Sequence, residues 1–286
     1  MRIYPIETGN FKLDGGAMFG VVPKVIWQKT NPADSNNLID MSLRCMLIED
    51  GDRLTLIDTG TGRKQSDEFF GYYFPFGDFD LDSSLKNYGF HRDDITDVFL
   101  THLHFDHCGG SIQWNKSRTG YEPAFKNAKF WSNENHWSWA THPNPREKAS
   151  FLKENIHPIE ASGQLNFLGI PNGDILEKSP LGFDILFADG HTEKQMIPHI
   201  QYQGKTLVFM ADLLPTVGHI PLPYVMGYDV RPLTTMDEKA KFLNTAADQD
   251  YYLFFEHDAK NEICTVKHTE KGVRLDQTFR FDEIFN

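Results

Sequence analysis

A chain of 286 residues with 40% hydrophobic content buries a large core without covalent staples. Its formal net charge of −12 argues against a nucleic-acid partner, because proteins that bind phosphate backbones concentrate Lys and Arg. Three cysteines without CxxC spacing are typical of a reduced, cytoplasmic protein, and no segment approaches the ~18 consecutive apolar residues of a membrane span. We therefore expect a cytoplasmic protein that acts on a small molecule, with neither nucleic acid nor membrane as partner.

Short apolar runs between polar turns predict strands along the chain. In chain order they are Leu43–Ile48, Leu54–Ile57, Ile95–Leu100, Phe183–Ala188, Ile197–Tyr202, Thr206–Met210, Tyr251–Phe255 and Val273–Phe279. The Asp50-Gly51 pair between the first two predicts a hairpin. Helices are predicted over Ser83–Tyr88 and Thr234–Ala247. The pattern predicts an α/β chain with two sheets covered by helices, in a single domain over residues 1–286.

Two segments lack this pattern and are interpreted as insertions over a site. One is the loop Asp14–Asn37, and the other is a Trp-rich stretch, Lys129–Ile156, with helical parts on either side of Pro143 and Pro145. Long irregular segments in compact domains are often binding loops or lids.

Polar residues of one chemical type follow four of the predicted strands. They are His102, His104, Asp106 and His107 after the third strand, His191 after Phe183–Ala188, Asp212 after Thr206–Met210, and His257 after Tyr251–Phe255. Strand ends in α/β proteins face a common edge, so these loops are expected to converge. Imidazole and carboxylate are the ligands that suit zinc and its first-row neighbours.

Five histidines and two aspartates are too many ligands for one catalytic zinc, which takes about three from the protein. The set fits two divalent ions, with Zn²⁺ as the first choice and Mn, Fe or Co as alternatives, sharing one bridging carboxylate. Without a metal, burial of three His and one Asp within six residues would leave several polar groups in need of partners.

The run THLHFDHCGG resembles the HxHxDH motif of the metallo-β-lactamase superfamily. Ile57-Asp58-Thr59-Gly60, Asp189-Gly190-His191-Thr192, Asp212 and His257 are similar to further segments of that family, in the same order. The resemblance covers most of the chain. It implies a four-layer αβ/βα sandwich, the metallo-β-lactamase fold, with the metals at one edge.

The resemblance also implies a role for each matching residue. One metal would be held by His102, His104 and His191, and the other by Asp106, His107 and His257. Asp212 would bridge the two metals, and Asp58 would orient the metal-binding loop through hydrogen bonds. Asp106 and Asp212 are the residues to which we also assign a catalytic role.

Within the superfamily, the segments Gly16–Lys24 and Ala211–Tyr228 resemble a branch of N-acyl-homoserine lactonases and methyl-parathion-hydrolase-like enzymes. Asp212 stands where the commonest zinc β-lactamases carry Cys. The first hypothesis is therefore a lactonase. The alternatives are a phosphodiesterase or phosphotriesterase of the same fold, and a non-catalytic metal-binding protein.

One departure from the lactonases concerns the substrate. They carry a Tyr three residues after the bridging Asp, where this chain has Pro215. His219 or Tyr224 is a candidate replacement. Met18, Phe19 and Val22 lie in an apolar loop that either lines an acyl pocket or packs against a second subunit of a homodimer.

Other residues have a simpler interpretation. His136, His142 and His157 are expected to have surface or capping roles rather than metal-binding ones. Trp131, Trp137 and Trp139 are expected to pack the Trp-rich stretch against the body of the protein. Cys108 is interpreted as a small buried residue beside the metals rather than a ligand or reactive thiol.

Overall fold

The computed structural model describes residues 1–285, and the chain divides into two compact units. Unit 1 consists of residues 1–9 and 43–172, and unit 2 of residues 10–42 and the chain from residue 173 onwards. The boundaries fall inside two long strands, β1 (Arg2–Asp14) and β2 (Leu38–Asp50). Sheets and helices are mixed along the chain, which confirms the predicted α/β class. The single domain over 1–286 stays a prediction.

The other strands follow in chain order: β3 (Arg53–Ile57), β4 (Asp97–Phe99), β5 (Ile112–Trp114), β6 (Tyr121–Pro123), β7 (Lys129–Ser132), β8 (Leu165–Phe167), β9 (Ile175–Leu176), β10 (Asp184–Ala188), β11 (Gln195–Tyr202), β12 (Lys205–Phe209), β13 (Tyr252–Phe254), β14 (Ile263–Thr269) and β15 (Gly272–Phe279). The helices are α1 (Gly15–Phe19), α2 (Lys24–Trp27), α3 (Asp67–Gly71), α4 (Leu81–Asn87), α5 (Phe105–Cys108), α6 (Glu134–Thr141), α7 (Lys153–Ala161), α8 (Pro232–Asp248) and α9 (Phe281–Ile284).

A six-stranded sheet has the order β1-β2-β3-β4-β7-β8. Strands β3, β4, β7 and β8 pair in parallel, so their carboxyl ends lie at one edge. The core of unit 1 includes Leu56, Val98 and Phe130 from three neighbouring strands, together with Ile156 and Ile159 from α7. Burial of these side chains holds the parallel strands in place and thereby positions the loops that follow them.

The sheet of unit 2 has seven strands in the order β15-β14-β13-β12-β11-β10-β9. Strands β12 and β13 are parallel neighbours, with Phe209 opposite Phe254. Strands β10 and β12 are both antiparallel to β11, so they run in the same direction. The loops after β10, β12 and β13 therefore leave the sheet of unit 2 at the same edge.

Every strand that the apolar runs predicted is present, with ends that differ by a few residues. The predicted hairpin is confirmed, because Asp50 pairs with Arg53 across a two-residue turn in which Gly51 has a φ of 61°. The predicted helices correspond to α4 and α8. Within residues 1–285 no helix is both long and apolar enough to cross a membrane.

The sequence did not predict β1 or the two short helices in the loop Asp14–Asn37. Strand β1 has 13 residues, yet Pro5 and Gly9 interrupt it and most of its side chains are only partly buried. Such a strand shows neither a continuous apolar run nor a clean alternation. Helix α1 begins at a cap in which Asp14 Oδ1 accepts from the backbone N–H of Ala17 at 2.8 Å.

Candidate metal centre

In unit 1 the histidine-rich run follows β4, and Asp58 follows the parallel neighbour β3. His102 and His107 are 0% exposed, while His104 and Asp106 are 6% and 8% exposed. The parallel pairing therefore brings four buried polar side chains and a buried carboxylate to one edge of the sheet. Polar groups buried in this way need partners, since an unpaired one costs several kcal/mol.

Asp58 supplies hydrogen bonds that shape this loop. Its Oδ1 accepts from the backbone N–H of Thr101 at 2.8 Å, and its Oδ2 accepts from the Thr101 hydroxyl at 2.7 Å and from Nδ1 of His107 at 3.0 Å. Asp58 itself has a φ of 57°, in the left-handed region that ordinary residues rarely adopt. The backbone after β3 is thus held in a costly conformation that aims the carboxylate at the histidine-rich loop.

The polar neighbours of His102 and His104 favour particular ring nitrogens as the ones that carry lone pairs. The Thr101 hydroxyl donates to Asp58, so it accepts from Nδ1 of His102 at 3.1 Å and leaves the lone pair of that ring on Nε2. In His104, Nε2 lies 3.6 Å from a carboxylate oxygen of Glu147, which is longer than a hydrogen bond but favours a ring proton on Nε2 and the lone pair on Nδ1. These two lone-pair atoms lie 3.1 Å apart. Two lone pairs at that distance repel unless a cation lies against both.

His107 is oriented in the same manner. Because its Nδ1 donates to Asp58, its Nε2 carries the lone pair and faces Asp106, whose Oδ2 lies 3.9 Å away. Unit 1 therefore presents three imidazole lone pairs and one carboxylate from a single short segment.

In unit 2 one carboxylate faces two imidazoles. Asp212 follows β12, and its Oδ2 lies 3.1 Å from Nε2 of His191, which follows β10. Its other oxygen, Oδ1, lies 3.1 Å from Nε2 of His257, which follows β13. All three side chains are more than 90% buried. Asp212 therefore presents one carboxylate oxygen to each of the two imidazoles.

The far sides of both rings are anchored. Nδ1 of His191 donates to Oδ1 of Asp229 at 2.9 Å, and Nδ1 of His257 donates to the carbonyl of Ser42 at 2.9 Å. Both Nε2 lone pairs consequently point at an oxygen that is itself an acceptor. Burial lowers the pKa of His191, but the Asp212 and Asp229 carboxylates outweigh it and raise that pKa to about 10. The two carboxylates beside the His191 ring thus strongly favour a positive charge at this position.

This chemistry fits divalent metal ions. Every histidine in the two clusters has one ring nitrogen directed at an acceptor and the other directed towards another potential ligand. Such outer hydrogen bonds set the tautomer of metal-binding histidines in proteins. His and Asp donors suit Zn²⁺, Mn, Fe or Co, and the side chains alone do not select among them.

The sequence did not single out the outer partners Asp229 and Glu147. Each faces its histidine across a long stretch of chain, so no local spacing pattern connects them. The surface role expected of His136 is wrong. That ring is 0% exposed, and its Nε2 accepts from the backbone N–H of Leu103 at 2.9 Å, inside the metal-binding run.

Four further predictions for this region agree with the structure. His142 and His157 are exposed, as expected, and Trp137 is buried. The interpretation of Cys108 as an inert buried residue is confirmed. Its thiol is 0% exposed and donates to the carbonyl of Leu103 at 3.3 Å, and burial raises the pKa of Cys108 to about 12.

Three side chains of the apolar loop that was predicted to contact either an acyl chain or a second subunit are buried. Met18, Phe19 and Val22 are 1%, 0% and 9% exposed. The Phe19 ring stacks on Trp27 and on His219, with ring centroids 5.2 and 4.3 Å apart. These three side chains are not exposed, and the contact of this loop with an acyl chain or with a second subunit of a homodimer stays a prediction.

His219 holds that loop in place. Its Nε2 donates to the carbonyl of Met18 at 2.9 Å, and its Nδ1 contacts the Thr216 hydroxyl at 2.8 Å. Burial lowers the pKa of His219 to about 3, so the ring is neutral. Both ring nitrogens of His219 thus contact groups of the protein, and its suggested role in place of the tyrosine expected at Pro215 stays a prediction. Tyr224 is half-buried and lines the same small cavity as Asp212 and Pro215.

Lys239 of α8 supports the loop that contains Tyr224. Its Nζ donates to the carbonyls of His219, Pro221 and Tyr224 at 2.7, 3.2 and 2.8 Å. The side chain is 1% exposed, and burial lowers the pKa of Lys239 to about 7. Around neutral pH the ammonium is therefore close to losing its proton.

The depressed pKa of Lys239 predicts a pH-dependent stability. Above pH 7 the unfolded chain, with an ordinary lysine pKa, binds more protons than the folded chain, so the free energy of unfolding rises with pH by up to about 1.4 kcal/mol per unit. We expect wild type to gain about 1–2 kcal/mol relative to Lys239→Met between pH 7.5 and 9, measured by urea unfolding. Lys241→Met, on the same helix with a side chain 77% exposed, should show no such gain. A pH-independent difference between wild type and Lys239→Met would contradict the assignment.

Buried histidines and aspartates that follow the strands of an α/β fold are typical of a metal-dependent hydrolase. The chain belongs to the metallo-β-lactamase superfamily, whose family model matches residues 42–257. The N-acyl homoserine lactonase AiiB of Agrobacterium fabrum is 29% identical over 126 residues, or 41% of this chain. That match spans 45% of the length of the relative, which is less than half.

Solved structures agree on the fold. A probable metal-dependent hydrolase from Staphylococcus aureus matches with a TM-score of 0.83 and 29% identity, covering 97% of this chain and 98% of that one. AidC, a dizinc quorum-quenching lactonase, matches with a TM-score of 0.76 at 20% identity, covering 97% and 95%. The predicted superfamily and the metallo-β-lactamase fold are confirmed.

Proposed function

We propose that this protein is a hydrolase with two divalent metal ions, Zn²⁺ in the first instance, and that it opens lactones of the N-acyl-homoserine type. The ligands in this proposal are His102, His104, Asp106, His107, His191, Asp212 and His257. The observation that carries it is the geometry of Asp212, whose two oxygens each lie 3.1 Å from the lone-pair nitrogen of a different histidine. A carboxylate in this position suits two ions rather than one.

The metals and the protein contribute different parts of the chemistry. When bound, a pair of divalent ions lowers the pKa of water towards about 7 and polarises a carbonyl oxygen. Asp229 and Ser42 hold His191 and His257 with their Nε2 atoms facing Asp212. Asp58 holds His107 with its Nε2 facing Asp106.

Lactone opening also needs a route for a proton. Water adds to the carbonyl carbon, the ring C–O bond breaks, and the departing alkoxide takes up a proton to become the alcohol of a hydroxy acid. We assign that transfer to the carboxylate of Asp212, which accepts the proton from the attacking water and returns it to the alkoxide.

The choice of a lactone rests on three supports. The relative AiiB is named as an N-acyl homoserine lactonase, and AidC, of similar fold, as a dizinc lactonase. Asp212 occupies the position where the commonest zinc β-lactamases use Cys. The net charge of −12 disfavours polyanionic substrates such as nucleic acids.

We further propose that Tyr224 contacts the substrate in place of the tyrosine expected at Pro215. Replacing Tyr224 by Phe should lower kcat/KM for lactones by about tenfold, since one hydrogen bond contributes about 1–1.5 kcal/mol. Steady-state kinetics on the metal-loaded enzyme give the measurement. Tyr228→Phe, at a position 40% exposed, is the matched control and should leave kcat/KM unchanged. Equal effects of the two substitutions would remove Tyr224 from the site.

A substrate panel on metal-loaded enzyme tests the function as a whole. It contains acyl-homoserine lactones of several chain lengths, simple lactones, a thioester, a phosphodiester, a phosphotriester and a β-lactam. We expect the highest kcat/KM for an acyl-homoserine lactone. Preference for a phosphodiester or phosphotriester over every lactone would replace the proposal by its main alternative. Absence of any hydrolysis by enzyme with two bound metals would favour a non-catalytic metal-binding protein.

A further inference from the structure

The Trp-rich stretch contributes a carboxylate to the histidine-rich loop. Glu147, in the segment between α6 and α7, is 2% exposed, and its Oε1 lies 3.6 Å from Nε2 of His104. Its other oxygen, Oε2, accepts from Nε1 of Trp139 at 2.7 Å and from the amide of Asn144 at 2.6 Å. The carboxylate is thus held by one oxygen, and the other is directed at His104.

The same stretch also contacts the backbone on both sides of His104. The Leu103 N–H donates to His136 at 2.9 Å, and the Phe105 N–H donates to the carbonyl of Ser150 at 2.9 Å. The backbone of the loop is therefore fixed without Glu147. What Glu147 adds is a negative charge at one specific ring nitrogen.

We infer that Glu147 is a positioning residue that sets the tautomer of His104. A carboxylate only accepts, so it favours the ring proton on Nε2 and leaves the lone pair on Nδ1. That atom is the one 3.1 Å from Nε2 of His102. His104 is the one member of the five-histidine set that offers Nδ1 rather than Nε2, and so it needs its anchor on the opposite side of the ring. The inference rests on the proposed metal site.

The two donors at Oε2 make Glu147→Gln a sharp test. Trp139 and Asn144 require an acceptor at that position, so the glutamine must place its carbonyl oxygen there and its NH₂ where Oε1 was. The NH₂ donates towards Nε2 of His104. Nε2 must then carry the lone pair and Nδ1 the proton, which blocks Nδ1 as a ligand. A substitution that preserves size thereby inverts the tautomer.

The experiment reads the tautomer and the metal affinity separately. ¹⁵N NMR of histidine side chains in protein with Zn²⁺ bound should show His104 protonated on Nε2 in wild type and on Nδ1 in Glu147→Gln. Zn²⁺ competition against a chromophoric chelator should show binding weakened by about 10–100-fold in Glu147→Gln. Glu147→Met, which has no donor and only a weak acceptor, should weaken binding less than Glu147→Gln does.

Trp139→Phe is the control for a purely structural role. It removes a hydrogen bond to Oε2 while leaving Oε1 opposite His104, so the melting temperature should fall and the tautomer and Zn²⁺ affinity should stay as in wild type. An unchanged His104 tautomer in Glu147→Gln, or equal loss of Zn²⁺ affinity in Trp139→Phe, would overturn the inference. Failure of the proposed function is a different result, because wild type itself would then bind no Zn²⁺ or hydrolyse none of the panel.

Discussion

Replacing Asp212 by alanine is expected to abolish hydrolysis and to reduce the bound metal. Both oxygens of this carboxylate face imidazole lone pairs at 3.1 Å, so its removal takes one ligand from each proposed ion. Metal ions contribute several kcal/mol to charge stabilisation during hydrolysis, which corresponds to a loss of about 10³-fold or more in kcat/KM. Elemental analysis after gel filtration and kinetics on the best panel substrate give the two measurements.

The fold should survive this change. Asp212 Oδ1 and Oδ2 face His257 and His191, whose other nitrogens stay anchored to Ser42 and Asp229. Circular dichroism should therefore match wild type. Asp248→Ala, at a side chain 67% exposed in the same unit, is the matched control and should retain both metal and activity. Two metals per chain and full activity in Asp212→Ala would refute the bridging role.

The sequence was sufficient for the parts of the fold with a strong local pattern. The runs around β3, β4, β12 and β13 are mainly apolar because these strands lie inside their sheets and are largely buried. The placement of polar residues directly after them followed from the same pattern. Strand β1 could not be predicted, since its partly buried, Gly- and Pro-interrupted sequence has no period.

The outer partners of the histidines lie beyond what a single sequence reveals. Asp229 and Glu147 are ordinary carboxylates until the fold brings them to His191 and His104. His136 is similar: in the sequence it belongs to a polar helix start, and only tertiary packing buries it. A local motif shows which residue types could bind a metal. The tautomer of each histidine, in contrast, depends on contacts between segments that are distant in the sequence.

Asp58, which orients His107 by a hydrogen bond, is a residue that the sequence motif does reveal. Its replacement is expected to lower the free energy of unfolding strongly. In Asp58→Ala the N–H and hydroxyl of Thr101 and the Nδ1–H of His107 lose their acceptor while buried. Removing an acceptor from buried donors costs about 1–3 kcal/mol each, and alanine tolerates the φ of 57° poorly. We expect the free energy of unfolding, measured by urea denaturation of metal-free protein, to fall by about 3 kcal/mol or more.

A second substitution separates the hydrogen bonds of Asp58 from its backbone conformation. Asparagine adopts positive φ readily and keeps the size of the side chain. Its NH₂, at the position of either oxygen, still meets a donor from Thr101 or His107, so Asp58→Asn should retain most of the loss seen with alanine. Asp52→Asn, exposed in the neighbouring hairpin turn, should change stability by less than about 0.5 kcal/mol. If Asp58→Asn were as stable as wild type, the backbone rather than the carboxylate would hold the loop, and the tautomer of His107 would need another cause.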